Sequence, residues 1–342
     1  MKTHTPFPLH AGFLALVRNE ADRQRQNEHF GIAKNYDCAC RSFCRFLTSR
    51  HLSDIPFAEL SPSVVADYEA WMLAQGLCRN TTSCYLRCLQ AVYNRYVCAY
   101  NIADNRPFQH VYRGVAPTIK RALAPDDLRR LFSLDIAASL CSMGFVPESR
   151  PFLSRFSQLQ MARDLFVFSF CARGMSFIDL AYLRKSDISG NTITYIRRKT
   201  HQPIVVHVEP LMTQIINRYP SNSEYLFPLL VPSADKSTLY HQYHRIITWY
   251  NDCLSSLGQM SGGINLTSYV CRHSWASAAR FCQIPISFIS QSMGHHSEHT
   301  TEIYLRSLES NVIDSANHHL LQSIFNQPNA VNDNVSTYAY PV

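Results

Sequence analysis

The sequence predicts a mainly α-helical protein with one small antiparallel β-sheet, arranged as two domains. Three observations carry this. Apolar residues recur at spacings of three and four over most of the 342 residues, as on one face of a helix. Near 186–208 the period changes to two, with turn residues at Ser189-Gly190 and His201-Gln202-Pro203, as in short paired strands. The chain is also long enough for two buried cores.

From the N-terminus, residues 9–100 read as helices. In "AKNYDCACRSFCRFLTSR", Tyr36, Cys40, Phe43 and Phe46 share one face. "SPSVVADYEAWMLAQG" opens on a capping serine, carries Pro62 in its first turn and stops at Gly76, the usual order of helix signals. "NTTSCYLRCLQAVYNRYVCAY" places Tyr85, Leu89, Val92 and Tyr96 on a stripe, with Arg79, Arg87 and Arg95 outside it. Residues 101–122 have no clean period and hold two prolines and four basic residues, so they read as an extended linker ending in Lys120 and Arg121. A second domain, 123–325, opens with the helix "APDDLRRLF". A loop at "MGFVPESRPFL" and a long buried helix at "QMARDLFVFSFCARG" follow, then the small sheet and further helices. Residues 326–342 are polar and aperiodic, as in a disordered tail.

Composition narrows the function. The hydrophobic share of 46% and charged share of 17% describe a globular chain and exclude a fibrous or disordered one. Residues 1–121 hold 15 Lys and Arg against 9 Asp and Glu, a surplus of six within the whole chain's +7. The surplus favours a polyanionic partner and would suit a face lying on phosphates, although the count fits a solvated helix surface nearly as well; Arg79, Arg87, Arg95, Lys120 and Arg121 are candidate contacts. The twelve cysteines form no C-x-x-C, so reduced thiols and a cytoplasmic location are expected. No run approaches the roughly 20 apolar residues of a membrane helix.

The segment "MGHHSEHTTEIYLRS", residues 293–307, admits two chemistries. His295, His296, Glu298 and His299 fit H-x-x-E-H, the inverted zinc-protease motif. That motif needs a continuous helix, and Gly294 with "HHSEHTT" argues against one. A zinc hydrolase is therefore the weakest reading, and the expectation is no metal and no cofactor. The other chemistry centres on Tyr304 and on cationic groups upstream. These are Arg173 after a buried helix, Lys199 on a hairpin, Arg272 and His273 at the start of an amphipathic helix, and His295.

In this order and spacing those residues resemble the tyrosine recombinase (phage integrase) family. The family shows an Arg near an acid-Leu pair, a hairpin Lys, H-x-x-R-H, Leu-Gly-His and Thr-Thr-x-x-Tyr. The resemblance covers nearly the whole chain. It implies a helical core-DNA-binding (SAM-like) domain over 9–100 and a mixed α+β catalytic domain over 123–325. It also implies a site-specific recombinase that cleaves and rejoins DNA through a 3′-phosphotyrosyl intermediate, for integration, excision or inversion. Tyr304 is then the nucleophile, Arg272 a phosphate-binding fork, Lys199 the general acid, and His295 a hydrogen-bond donor to the phosphate. Four strand cuts imply a tetramer on DNA, and an accessory DNA-bending protein is a candidate partner. The helix "NVIDSANHHLLQSIF", with Ile313, Ala316, Leu320 and Ile324 on one stripe, is a candidate contact between protomers. The first helix starts near residue 9, leaving little room for an arm-binding domain, which tilts the expectation towards inversion or simple exchange.

Two departures stand out. Where the family has the His of H-x-x-R, this chain has Tyr269, whose phenol, with a pKa near 10, is a poor base; His273 or water is expected to take the proton. Where the family has its first arginine, this chain has Ser176. Arg173 lies one helical turn earlier, roughly 4.5 Å along an axis, and is the expected substitute, with Arg184 and Arg198 as fallbacks. Rival functions are a catalytically silent DNA-binding protein of this fold and a strand-nicking type IB topoisomerase.

Overall fold

The structure is a computed structural model that describes residues 11–116, 122–294, 297 and 301–302. Among these, the chain is mainly helical with one three-stranded antiparallel sheet, as the sequence predicts. It divides into two compact units, 1–118 with 235–240, and 119–234 with 241–342. The predicted tail 326–342 and the helix at 311–325 lie outside the described residues.

The N-terminal unit packs four helices, α1 (Phe13–Gln26), α2 (Phe30–Ser49), α3 (Pro62–Ala74) and α4 (Arg79–Tyr100). Ser61 caps α3, its Oγ accepting from the Val64 N–H at 3.4 Å. The chain leaves that helix through Gly76 at φ 79°, a conformation that costs glycine little. On α2, Tyr36, Cys40, Phe43 and Phe46 are all buried. Phe43 meets Tyr68 edge-on with centroids 4.9 Å apart, and Phe57 stacks on Tyr93 at 5.0 Å. On α4 the buried stripe is rotated from the predicted one. Leu86, Leu89, Val92 and Tyr93 are fully buried, whereas Tyr85 and Tyr96 are half-buried. Tyrosines at the edge of a core keep the hydroxyl near water while the ring packs.

Residues 101–116, the first part of the segment read as a linker, lie against this same unit. Phe108 and Val111 join its core. Asn80 donates to the Ala116 carbonyl at 3.0 Å and accepts from its N–H at 2.7 Å, while Ser83 donates to the Gly114 carbonyl at 2.6 Å. Short-range sequence patterning does not reveal such side-chain-to-backbone straps. Residues 235–240 also group here, with Tyr240 5.4 Å from the Phe30 ring and Lys236 paired with Glu28.

The second unit is built on α7 (Arg150–Cys171), whose Leu159, Ala162, Leu165, Phe166 and Phe168 are completely buried. Before it come α5 (Pro125–Phe132) and α6 (Ile136–Ser142). After it, α8 (Phe177–Ala181) leads to the sheet of β1 (Ile188–Ser189), β2 (Thr192–Ile196) and β3 (Pro203–His207). The strands pair in sequence order, with Ile193 opposite Val206 and Tyr195 opposite Ile204. Those four side chains face the core and their neighbours face out, the alternation a half-buried sheet requires. Then follow α9 (Pro210–Arg218), α10 (Lys236–Met260), α11 (Ser268–Phe281) and α12 (Ile286–Ser292). No described helix is long and apolar enough to cross a membrane.

Two packing details generate tests. Gly258 lies within α10, where a Cβ would sit 2.1 Å from the Ile264 carbonyl oxygen. Alanine is favoured over glycine in a helix by about 1 kcal/mol, but this clash is with backbone and cannot be relieved by a rotamer. Gly258→Ala is expected to destabilise the second unit by about 1–3 kcal/mol, read as a lower urea midpoint.

Glu20 is 4% exposed. Burial alone would raise its pKa, but hydrogen bonds from Arg23 and Gln24 and the charges of Arg95 and Arg23 outweigh it, and the value is lowered. A depressed carboxyl contributes stability above its unfolded pKa, and that contribution is lost as pH falls through the folded value. Urea midpoints taken from about pH 6 down to about pH 3 should therefore fall less steeply in Glu20→Gln than in wild type.

Candidate active site

The helix α7 ends in two consecutive left-handed residues, Arg173 at φ 58° and Gly174 at φ 68°. This turn aims the Gly174 carbonyl at Arg272, whose Nη1 donates to it at 2.9 Å. The approach is close: a Cβ on Gly174 would lie 3.0 Å from the Arg272 Cα. Arg272 stands in the second turn of α11 and is 2% exposed. Its Nη2 donates to the Met293 carbonyl. One guanidinium thus ties the turn after α7 to the turn after α12.

A second buried guanidinium lies beside it. Arg197, directly after β2, is 3% exposed and donates from Nη1 to the Gly294 carbonyl at 2.7 Å. Its Nε is buried and makes no hydrogen bond among the described residues. Its pKa is lowered, first by burial and then by the positive charge of Arg272, with Asp179 opposing. Among the described residues neither Arg173 nor Arg197 forms an ion pair with a carboxylate. The phenol of Tyr195, buried below, has its pKa raised by burial and by Asp179, while Arg272, Arg197 and Arg173 pull it down.

Asp179 organises the opposite side. It is 4% exposed. Its Oδ2 accepts from the Ser176 hydroxyl at 2.5 Å and its Oδ1 from the Arg198 N–H at 2.9 Å. Ser176, standing where the first arginine was sought, is thus occupied in fixing the acid. The Arg198 guanidinium lies 4.0 Å over the Tyr182 ring, and Arg184 pairs with Glu224 at 3.4 Å. Lys199 is exposed at the tip of the β2–β3 loop.

Tyr269 is 46% exposed, with its ring edge-on to that of the buried His273 at 4.9 Å. Its phenol also falls within electrostatic reach of Arg197. Of the remaining sequence candidates, Tyr304, His295, Lys120 and Arg121 lie outside the described residues, as do His296, Glu298 and His299 of the H-x-x-E-H match. Gly294, immediately before His295, is described. It has φ 59°, and a Cβ there would come within 2.9 Å of Ile204 Cδ1 and 3.2 Å of Arg197 Cδ. In the N-terminal unit, Arg79 lies 4.7 Å over the Tyr112 ring, Arg87 donates to the Ser83 carbonyl at 3.4 Å, and Arg95 pairs with Glu20 at 3.4 Å.

By sequence Arg197 groups with the exposed charges of the hairpin, and its burial is unexpected on that ground. A signal is nevertheless present. Ile193 and Tyr195 face inward, and the period of two carried one step further puts residue 197 inward as well.

Comparison with known proteins bears on the fold. Residues 12–111 match the phage integrase SAM-like domain. The fold is shared with a lambda integrase dimer bound to a COC′ core site, at 14% identity and TM-score 0.61 over 90% of this chain and 83% of that one. It is shared too with the Tn1549 transposon integrase in complex with transposon right end DNA, at 15% identity and TM-score 0.52 over 93% of this chain and all of that one, a coverage of 100%. No curated protein sequence matches the chain significantly. The fold, a helical unit matching the SAM-like domain and a mixed unit with a small three-stranded sheet, is the one these integrases share.

The tight turn at Gly174 offers a structural test. Gly144 has φ 89° with nothing within 4 Å of where a Cβ would stand, so alanine there meets backbone strain alone. Gly174→Ala adds a collision with Arg272, and should lower the urea midpoint more than Gly144→Ala, by an extra ~1–2 kcal/mol.

Proposed function

We propose that the chain is a site-specific DNA recombinase that cuts and rejoins strands through a 3′-phosphotyrosyl link. The observation that carries this is the pair of buried guanidiniums, Arg272 and Arg197, held on the consecutive carbonyls of Met293 and Gly294. That turn leads directly into His295 and, ten residues after Gly294, Tyr304. Two forks in a water-poor site suit the non-bridging oxygens of a phosphodiester as charge builds on them.

In this reading Tyr304 Oη attacks phosphorus and the P–O5′ bond breaks, leaving the 3′ end esterified to the phenol. The ammonium of Lys199 gives its proton to the departing 5′ oxygen. His295 donates a hydrogen bond to the phosphate, and the phenol proton passes to His273 or water. Tyr269, half-exposed beside His273, donates to the phosphate rather than acting as base. Arg197 fills the role assigned from sequence to Arg173, and Arg173 contributes charge from the adjoining turn. The reverse attack by a 5′ hydroxyl rejoins the strand without any high-energy cofactor.

Both structural neighbours are described as bound to DNA, one as a dimer. Double-stranded DNA is the proposed partner here, and the exchange of two sites through four cuts calls for a tetramer.

A nicked suicide duplex taken from DNA flanking the gene tests the reading. Wild type should form a covalent adduct that survives EDTA, and Tyr304→Phe should form none. Adduct lost with EDTA would point to metal chemistry instead, and absence of adduct from wild type would favour the silent DNA-binding reading. Joining of two separate duplexes separates a recombinase from a topoisomerase. Arg272→Ala and Arg197→Ala should each slow adduct formation by about 10²–10³-fold, with a smaller loss for Arg173→Ala.

A further inference from the structure

We propose that Thr200 is a positioning residue that sets Lys199 as the general acid and couples it to the turn before His295. This rests on the recombinase reading above. The β2–β3 loop is closed at its base by the Arg197 N–H to the Gln202 carbonyl at 2.9 Å and the His201 N–H to the Arg197 carbonyl at 2.8 Å. Within it, the two neighbours of Lys199 are each anchored to a different element. The Arg198 N–H is held by Asp179 of α8. The Thr200 hydroxyl donates to the Gly294 carbonyl at 2.9 Å. Lys199 lies between these two anchors, exposed, and its side chain makes no hydrogen bond or ion pair among the described residues.

These anchors fix the loop backbone and leave the Lys199 side chain to move. Ordering a free backbone costs about 1–2 kcal/mol per residue, a cost that anchored neighbours of Lys199 have already met before DNA arrives. The Gly294 carbonyl has two lone pairs, and both are used, one by Arg197 Nη1 and one by Thr200. A fork that binds phosphate and the loop that carries the acid therefore grip the same oxygen, one residue before His295. A shift of the 293–294 turn is transmitted to both.

The step served is proton transfer. As Tyr304 Oη bonds to phosphorus, the P–O5′ electron pair goes to O5′, which takes a proton from Lys199 Nζ. An alkoxide needs that proton, but a thiolate does not, since thiols ionise near pH 8.5. A suicide duplex with sulfur at the bridging 5′ position thus isolates the acid's contribution.

Adduct formation is measured on the oxygen and sulfur substrates for Thr200→Val, Thr200→Ser and Lys199→Ala. Thr200→Val should be about 10- to 100-fold slow on oxygen and within about threefold of wild type on sulfur, a rescue expected also of Lys199→Ala. Thr200→Ser, which keeps the hydroxyl, should match wild type on both. Equal slowing of Thr200→Val on both substrates, or no slowing, overturns the proposal. If Thr200→Val does not fold, Thr200→Ala is measured by the same criteria. Sulfur rescue of Lys199→Ala without rescue of either Thr200 variant sinks the role of Thr200 alone, whereas no adduct from wild type on either substrate sinks the recombinase reading and this proposal with it.

Discussion

The second unit is organised around two like charges that are buried side by side. Arg272 and Arg197 are 2% and 3% exposed, and burial of a charge is costly unless its donors are satisfied. Here consecutive main-chain carbonyls, at 293 and 294, take one donor from each. Neutral carbonyls hold a guanidinium in place without cancelling its charge, as a carboxylate would. The result is a fixed positive spot, and burial first, then the neighbouring Arg272 charge, lowers the pKa of Arg197. In the proposed reading, a phosphate shared by both forks relieves the repulsion between them, and this ties the fold to the chemistry.

The remaining features of the site follow from keeping that pair in register. The left-handed turn at Arg173-Gly174 brings a carbonyl against Arg272, with no room for a side chain at residue 174. Gly294 is also left-handed, and a side chain there would press on Ile204 and Arg197. Asp179 faces the cluster but directs its hydrogen bonds to Ser176 and the Arg198 N–H. It thereby fixes the loop without forming an ion pair that would neutralise a fork. In the proposed reading, a serine at 176 is compatible with this arrangement, because the Arg197 guanidinium enters the site from the end of β2.

How much of this could be read beforehand depends on sequence range. The helices were legible because their apolar spacing is local, and so was the hairpin, where Ile193, Tyr195, Val206 and Val208 alternate around turn residues. Arg272 could be picked out as a candidate because its motif is contiguous. Arg197 could not, since its burial depends on a carbonyl 97 residues away, although the period of two in β2 pointed inward. Nor could the packing of residues 101–116 be foreseen, as it rests on Asn80 and Ser83 gripping backbone more than 30 positions later. The stripe on α4 was displaced for another reason: tyrosines count as apolar in a periodicity but settle at the core's edge. Tyr304 and His295 lie outside the described residues.

The most direct measurement is a crystal structure of the chain on a duplex that it cleaves, with vanadate in place of the scissile phosphate. Equatorial oxygens are expected within hydrogen-bond reach of both Arg272 and Arg197, with Tyr304 in line at one apex. Vanadate bound elsewhere, or Arg197 still turned wholly to the Gly294 carbonyl while Arg173 makes the contact, would rule out the paired forks as the phosphate site.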